Sequence, residues 1–306
     1  MSTSGAMDPK EKFLKKDRII KGIADQESVK ISVIKTTDVI KEAQNRHKLS
    51  PAAAVMLGRT MTGTMLIAAQ LKGEERIKVT VQNDGPLGNI YAEANSVGEM
   101  RGYVSRPQTY IDWTKVSDIT EVIGDGTLKV EKVIYNEAKP ISGVVALADK
   151  TITGDFVHYL GQSEQVKSML ALDVQIDEDG MVSEAGGILV QALPGADESL
   201  LKGIHDLIKN FPPLGNQFAE GAYIDDIMNM VLLPAQPKEL DRYPVHFFCR
   251  CNKDRFVDAL ALLSVDDLET MNSEDQEVIC HFCNEKYVIE KETVQKLFMK
   301  AKTKLN

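Results

Sequence analysis

The chain has 306 residues, of which 43% are hydrophobic and 26% are charged, and its formal net charge at pH 7 is −9. This composition is ordinary for a globular protein, and the length indicates two domains or one large domain with an appendage. The acidic charge argues against general binding to nucleic-acid phosphates, and no apolar run approaches the length that spans a membrane. We therefore expect neither nucleic acid nor a membrane as a partner.

Residues 1–16 form a polar tail without a signal-peptide core, and the run MSTSGAMDP resembles an expression remnant. Residues 17–195 are predicted to form an α+β core domain, because runs of short strands are interrupted by helices without strict βα alternation. The predicted strands lie within 17–35 and at 77–81, 89–94, 101–104, 128–135, 143–145 and 187–193. Helices are predicted at 37–47, at 51–69 after Ser50-Pro51, and at 154–163, where an amphipathic piece follows.

The core domain shows no catalytic arrangement. His158 and Ser163 are close in sequence, but no glycine-framed nucleophile elbow surrounds Ser163. The glycine-containing turn at 84–88 lacks the lysine and the spacing of a phosphate-binding loop. We therefore expect a protein that is not an enzyme and has no ATP site.

The pattern changes after Pro194, and residues 196–241 are predicted to form a helical linker. A first apolar stripe at helical spacing, which Pro212-Pro213 stops, consists of Leu200, Leu201, Ile204, Leu207 and Ile208. A second apolar group, which Pro234 and Pro237 follow, consists of Phe218, Ile224, Ile227, Met228, Val231, Leu232 and Leu233. Two short helices with wide apolar faces must rest on another surface, so the simplest interpretation is a docked connector.

Residues 242–306 are predicted to form a small C-terminal domain. Its predicted elements are a strand at 245–248, a helix carrying Phe256, Leu260 and Leu263, a hairpin of 277–280 with 287–289, and a final helix through 294–305. Ser264 with Asp267 resembles a capping box for a further helix. A unit this small buries little apolar surface, so its fold should depend on a bound metal.

All four cysteines of the chain lie in this last segment, at Cys249, Cys251, Cys280 and Cys283. Two close thiol pairs separated by a spacer are typical of a tetrahedral Zn²⁺ site, whereas merely buried thiols would be scattered. His281 is the nearest rival ligand, and we expect it to point away. Four thiolates around one Zn²⁺ carry a net negative charge. The nearby cations that could offset this charge are Arg250, Lys253, Arg255 and Lys286.

The cysteine pattern has two functional interpretations. A four-cysteine zinc site can be a structural centre, which is the commoner role. A thiolate is also the form of cysteine that oxidants attack, so the same site can be a redox sensor that loses its metal when oxidised. Cysteines that are paired for metal and absent elsewhere fit a reducing, cytoplasmic setting.

Two runs around the cysteines resemble the C-terminal redox switch of the thirty-three-kilodalton heat-shock protein family, a family of redox-regulated holdase chaperones. These runs are HFFCRC at 246–251 and ICHFCNEKYVI at 279–289. Upstream segments, among them LGRTMTG at 57–63 and GPLGNIYAEAN at 85–95, are also similar to family segments and follow the family order. The resemblance extends over nearly the whole chain from about residue 17.

The resemblance implies an ATP-independent holdase, which protects unfolding client proteins from aggregation under oxidative stress. It implies that zinc-bound, reduced protein is inactive and that the small domain then covers or braces the linker. It also implies that oxidation forms the disulfides Cys249–Cys251 and Cys280–Cys283, releases Zn²⁺ and leads to a homodimer. The resemblance implies client binding by the exposed linker, and from the apolar pattern we expect the client-binding residues to be Leu200, Leu201, Ile204, Leu207, Ile208, Ile227 and Val231. The methionine-rich helix face at Met61 and Met65 is another possible client surface, although close helix packing is its commoner role.

Two other functions remain as alternatives. A zinc-ribbon nucleic-acid-binding protein would share the cysteine pattern, but the acidic charge argues against it, and salt-sensitive RNA retention would revive it. An oxidoreductase could use the CxxC pair. However, that pair lies beside a CxC pair and lacks a thioredoxin-like βα setting.

Overall fold

The protein is described here by a computed structural model, in which residues 15–24, 28–111, 119–134, 139–235 and 237–305 are placed. Residues 1–14 of the predicted tail and Tyr135, the predicted end of a strand, lie outside these ranges. The chain divides into two compact units, Met1–Phe248 and Cys249–Asn306. The division therefore falls at residue 249, whereas the sequence suggested residue 242.

The first unit contains most of the secondary structure. Its strands are β1 (Arg18–Ala24), β2 (Val29–Lys35), β3 (Arg76–Asn83), β4 (Ile90–Asn95), β5 (Glu99–Val104), β6 (Gly126–Val133), β7 (Ile141–Ala146), β8 (Ser168–Ile176), β9 (Val182–Ala192), β10 (Lys238–Pro244) and β11 (His246–Phe247). Its helices are α1 (Thr37–His47), α2 (Pro51–Ala68), α3 (Thr153–Gln162), α4 (Glu198–Lys209), α5 (Leu214–Ala219) and α6 (Ile224–Leu232), with 3₁₀ turns at Ile119–Val122 and Leu233–Ala235. None of the helices in the described part of the chain is both long and apolar enough to cross a membrane.

The strands of the first unit form two sheets. The first sheet has the order β10-β1-β2-β9-β8 and is antiparallel throughout. The second sheet has the order β11-β5-β4-β3-β6-β7 and is antiparallel except for the short β11–β5 pair. Antiparallel sheets with helices inserted between their strands confirm the predicted α+β class.

Helix α2 is the central element of the core. Its N-cap is Ser50, whose side chain accepts a hydrogen bond from the backbone N–H of Ala53, and Pro51 occupies the first helical turn. The helix contacts β8 and β9 of the first sheet and β3, β4 and β5 of the second. Met61 and Met65 are fully buried on it. Their role is therefore close packing, and they offer no client surface in this structure.

The first sheet is apolar on both faces because successive residues of a strand point to opposite sides. Ile19 and Ile34 belong to the core cluster around α2, whereas their neighbours Ile20 and Val33 belong to a second cluster. This second cluster is completed by residues of α4, α5 and α6. The predicted linker therefore covers the outer face of the first sheet.

Residues 196–235 and 237–241 of the linker form three α-helices rather than the two that the apolar pattern suggested. Helix α4 corresponds to the first stripe and ends before Pro212-Pro213. The second apolar group divides into α5 and α6 at Gly221, whose φ is +98°. This left-handed backbone conformation cannot continue a helix and strongly favours glycine.

The chain between the linker and the first cysteine pair belongs to the first unit. Strand β10 was not predicted; it begins within the predicted linker and pairs with β1 along its whole length. Beyond it, the backbone N–H of Val245 donates to Asp17 O at 3.2 Å, and that of Phe248 donates to Met100 O at 3.0 Å. These backbone bonds are the reason that the first unit extends to Phe248.

The second unit is small and carries its own core. Its elements are α7 (Lys253–Leu260), α8 (Val265–Met271), β12 (Gln276–Ile279), β13 (Lys286–Ile289) and α9 (Lys291–Leu305). Ser264 caps α8 as predicted, because its Oγ accepts from Asp267 N at 3.1 Å and lies 2.6 Å from the Asp267 carboxylate. The buried core residues among the described part of this unit are Leu260, Leu268, Ile289 and Val294. So few buried side chains contribute little stability by themselves.

Candidate metal centre

The four cysteine sulfurs converge in the second unit. All four Sγ atoms lie within 4.8 Å of one another. The Sγ atoms of Cys249 and Cys280 are 3.6 Å apart, and those of Cys251 and Cys283 are 3.2 Å apart. Cys280 and Cys283 are buried, Cys249 and Cys251 are partly buried, and no disulfide joins them. The two pairs that the sequence separates thus form one cluster.

The first pair is positioned by the start of α7. Cys249 and Cys251 lie directly before this helix, in a segment without regular secondary structure. The helix is capped by Asn252, whose Oδ1 accepts from Arg255 N at 2.9 Å. The cap fixes the first residue of the helix, and Cys251 directly precedes the capping residue.

The second pair occupies the bend of the β12–β13 hairpin. The backbone N–H of Cys280 donates to Glu285 O at 2.9 Å, and that of Asn284 donates to Cys280 O at 2.8 Å. Asn284 has a φ of +57°, in the left-handed region that asparagine tolerates better than most residues. The resulting tight turn brings Cys280 and Cys283 to the same side of the hairpin.

The protonation of these thiols depends on two opposing effects. Burial raises the pKa of the Cys280 thiol and of the Cys283 thiol. The backbone N–H groups of Phe282 and Cys283 act on Cys280, and that of Glu285 acts on Cys283, in the direction that lowers the pKa. In the protein alone burial is the larger of the two effects, so the pKa of each of these thiols is raised. A bound cation would favour the thiolates, so the N–H groups suit a metal-bound state.

The surroundings of the sulfurs include Tyr287, which the sequence analysis placed in a hairpin strand but did not place at the metal site. The Tyr287 hydroxyl lies 3.3 Å from Cys251 Sγ and also 3.3 Å from Cys251 O, and this contact raises the pKa of Tyr287. The signal that could have identified it is its place in the run ICHFCNEKYVI, four residues after Cys283. Two of the cations that were predicted to offset the thiolate charge form ion pairs with carboxylates. Lys253 pairs with Glu290 at 2.5 Å, and Lys286 pairs with Glu277 at 3.0 Å.

The donor set fits a tetrahedral metal ion. With a metal–sulfur distance of about 2.3 Å, tetrahedral geometry separates neighbouring sulfurs by about 3.8 Å. The separation of 3.6 Å is near this value, that of 3.2 Å is about 0.6 Å shorter, and all four sulfurs lie within 4.8 Å of one another. His281 is exposed and, within the described part of the chain, contributes no ligand atom to the cluster. Four sulfurs in this arrangement could hold a metal ion.

The predicted client-binding residues lie elsewhere, on the linker helices of the first unit. Four of them are buried against the first sheet, namely Leu201, Ile204, Ile227 and Val231. Three others are partly buried beside the same cluster, namely Leu200, Leu207 and Ile208. Their burial partners include Ile20 and Ile188 of the first sheet. The structure therefore brings the seven residues together on one covered surface.

Known proteins are similar to this chain in both sequence and fold. The model of the Hsp33 protein family matches residues 17–290, a range that includes all four cysteines. Relatives named 33 kDa chaperonin from Bacillus velezensis and Bacillus subtilis are 37% and 35% identical over 286 residues. Each alignment covers 92% of this chain and 98% of the relative.

A solved structure supports the same relationship. It is the 33 kDa chaperonin, or heat shock protein 33 homolog, of Thermotoga maritima, which matches with a TM-score of 0.86 at 28% identity. The match covers 94% of this chain and 99% of that chain. Together with the converging cysteines and the two-sheet core, these similarities show that the chain belongs to the Hsp33 family of chaperones.

Proposed function

We propose that this protein is a redox-regulated, ATP-independent holdase that protects unfolding proteins from aggregation under oxidative stress. The observation that carries the proposal is the convergence of four sulfurs in a unit with very few buried core residues, in a chain of the Hsp33 family. In this proposal Cys249, Cys251, Cys280 and Cys283 hold Zn²⁺ in the reduced, inactive state. The proposed setting is the reducing cytoplasm, where thiols persist.

The small core of the second unit explains why metal binding would control its folding. Zn²⁺ held by four thiolates would supply about 10–16 kcal/mol of apparent free energy in a small domain. The buried cluster formed by Leu260, Leu268, Ile289 and Val294 is too small to replace that contribution. Loss of the sulfur ligands should therefore unfold the second unit.

Oxidation removes the ligands by pairing them. For each disulfide, two thiolates give two electrons to a peroxide, the O–O bond breaks, and two protons from solvent complete two water molecules. The pairs that we propose are Cys249–Cys251 and Cys280–Cys283, as the family resemblance implies. A disulfide sulfur no longer carries the thiolate charge that holds a metal, so the site is lost.

Unfolding of the second unit is proposed to free the linker that precedes it. Helices α4, α5 and α6 would then leave the first sheet and expose their apolar side chains to clients. An apolar stripe of this size acts as an interaction surface once water reaches it. The proposed partners are unfolded or partly folded proteins, and the proposed active form is a homodimer.

The reduced protein is expected to bind one Zn²⁺ per chain through four sulfurs at about 2.3 Å. X-ray absorption at the zinc edge would measure both the number and the type of ligands. Elemental analysis of the same sample would give the stoichiometry. A nitrogen ligand in the absorption spectrum would contradict the assignment and would point to His281.

The functional proposal is tested by following metal and activity together. Zinc content and suppression of client aggregation are measured on one sample before and after treatment with peroxide and mild heat. We expect zinc release and aggregation suppression to increase together, without added ATP. Reduction with a thiol in the presence of Zn²⁺ should reverse both. Full aggregation suppression by the zinc-loaded reduced protein would contradict redox regulation, and no suppression after oxidation would contradict the holdase activity.

A further inference from the structure

Arg242 joins the last helix of the linker to the edge strand of the first sheet. Its Nη1 donates to Asp225 Oδ2 at 3.0 Å, and its Nη2 donates to Asp225 Oδ1. Asp225 lies in the first turn of α6, whereas Arg242 lies in β10 opposite Ile20 of β1. A guanidinium that holds both oxygens of one carboxylate makes a strong and strongly oriented contact.

The same guanidinium is held in place by a second carboxylate. Arg242 Nε donates to Glu239 Oε1 at 3.0 Å, and Nη2 donates to Glu239 Oε2 at 2.8 Å. The hydrogen bonds with Glu239 and Asp225 raise the pKa of Arg242. Because Glu239 lies on the same strand as Arg242, its contact with the guanidinium does not depend on the position of α6. We call these three residues, Arg242, Asp225 and Glu239, the Arg242 cluster.

The Arg242 cluster is more enclosed than another ion pair between a linker helix and the core. The Arg242 and Asp225 side chains are 24% and 35% exposed, whereas those of Lys167 and Glu198 are 68% and 77% exposed. Lys167–Glu198 joins α4 to the residue before β8. Exposed single contacts contribute little because solvent and salt screen them, whereas an enclosed bidentate contact is screened less.

Helix α6 is expected to be stable only while it is packed against the first sheet. The helix has nine residues. Its buried side chains include Ile227 and Val231, which belong to the second apolar cluster, on the outer face of the first sheet. A helix this short is unstable in water by itself, because isolated helices need roughly 12–15 residues to become even marginally stable. Undocking of α6 is therefore expected to be accompanied by its unfolding.

We propose that Arg242 is a positioning residue that keeps α6 docked and thereby sets how readily the linker is released. Strand β10 lies between α6 and Cys249 in the chain and is fixed to β1 by its backbone. The Arg242 cluster makes the docking of α6 depend on that same strand. This inference rests on the proposed function in one respect, namely that linker release exposes the client-binding surface.

The test uses the full-length, reduced, zinc-loaded protein. We compare hydrogen exchange in Arg242→Gln, Asp225→Asn, the double variant and the control Lys167→Gln. Exchange at 224–232 is expected to be faster by about tenfold or more in both cluster variants, because a charge-assisted pair is lost. The double variant should be no faster than the single ones, since they remove the same contact. The control should match the parent.

Two further measurements on the same variants show whether the effect is confined to α6. Exchange in β9 should stay at the parental rate, and zinc content should be unchanged. The inference is overturned if 224–232 stays as protected as in the parent, or if β9 accelerates equally, since Arg242 would then support the whole domain.

Aggregation suppression without oxidant is measured on the same variants. Faster exchange at 224–232 with increased basal suppression supports both the Arg242 cluster and the proposed role of the linker. Faster exchange with no suppression, even after oxidation, supports the cluster but contradicts client binding by the linker.

Discussion

Replacement of Cys280 by serine is expected to weaken zinc binding, unfold the second unit and raise chaperone activity without an oxidant. Cys280 is buried in the sulfur cluster, so serine removes one of four ligands. Loss of an outer hydrogen-bond partner of a metal ligand already costs 10–100-fold in affinity, so loss of a ligand should cost more than about 100-fold. Because metal binding and folding are one equilibrium in a unit with so small a core, both should be lost together.

The measurements are zinc content, protease resistance of residues 249–305 and aggregation suppression. Ile279→Ser is the matched control, because Ile279 adjoins Cys280 in the hairpin but is exposed. The control should keep its zinc and remain inactive in the reduced state. A Cys280→Ser protein that lost zinc, yet stayed as protease-resistant and inactive as the parent, would show that the metal does not control the chaperone.

Complete oxidation is expected to expose the apolar residues of the linker and to make them bind clients. Leu201 and Ile204 of α4 are buried against the first sheet in the reduced structure. Burial of one aliphatic side chain is worth roughly 1.5–3 kcal/mol, so their exposure requires loss of the docked arrangement. Hydrogen exchange at 198–232 should therefore accelerate strongly after peroxide treatment, while exchange at α2 remains slow.

A pair of charge substitutions tests whether these residues bind clients. Leu201→Asp with Ile204→Asp should lower client binding by the oxidised protein, because carboxylates replace the apolar surface. It should also undock α4 in the reduced protein, since buried carboxylates without partners are strongly unfavourable. Lys202→Asp with His205→Asp is the control on the exposed side of the same helix and should behave like the parent.

Protection of 198–232 that survived full oxidation and zinc release would move client binding to another surface. The methionine-rich face of α2 is not a candidate for that surface in the docked structure, because Met61 and Met65 are fully buried between the two sheets. Such a result would leave the metal prediction untouched, since that prediction concerns the second unit alone.

Local sequence signals predicted the elements that local interactions stabilise. The long central helix was predicted to begin at Ser50-Pro51, and in the structure Ser50 is its N-cap and Pro51 lies in its first turn. The hairpin of the second cysteine pair was predicted to within a residue at each end. In these segments the capping side chain or the alternating apolar residues act within a few positions, so the pattern is visible in the sequence itself.

Two strands show where sequence patterns failed. Strand β8 was predicted only as an amphipathic piece, although its buried residues Leu170, Leu172 and Val174 alternate along the chain. Met169 beside them is buried in the other apolar cluster, so both faces of the first part of the strand are apolar and the alternation is less clear there. Strand β10 has the sequence KELDRYP, which is charged and mostly exposed. It forms an edge strand through backbone bonds to β1, and a charged edge strand carries little apolar signal.

By itself, the sequence determined that the cysteines form one site and that the linker has apolar faces. Closely spaced thiols and periodic apolar residues are local properties that a chain displays before it folds. Only the tertiary structure decided that Tyr287 contacts Cys251, that the outer face of the first sheet buries the linker, and that Arg242 meets Asp225. The physical reason is that burial of apolar surface is non-directional. A periodic apolar pattern predicts that one face of a helix is buried. Which surface buries that face depends on how strands that are distant in the sequence pair with one another.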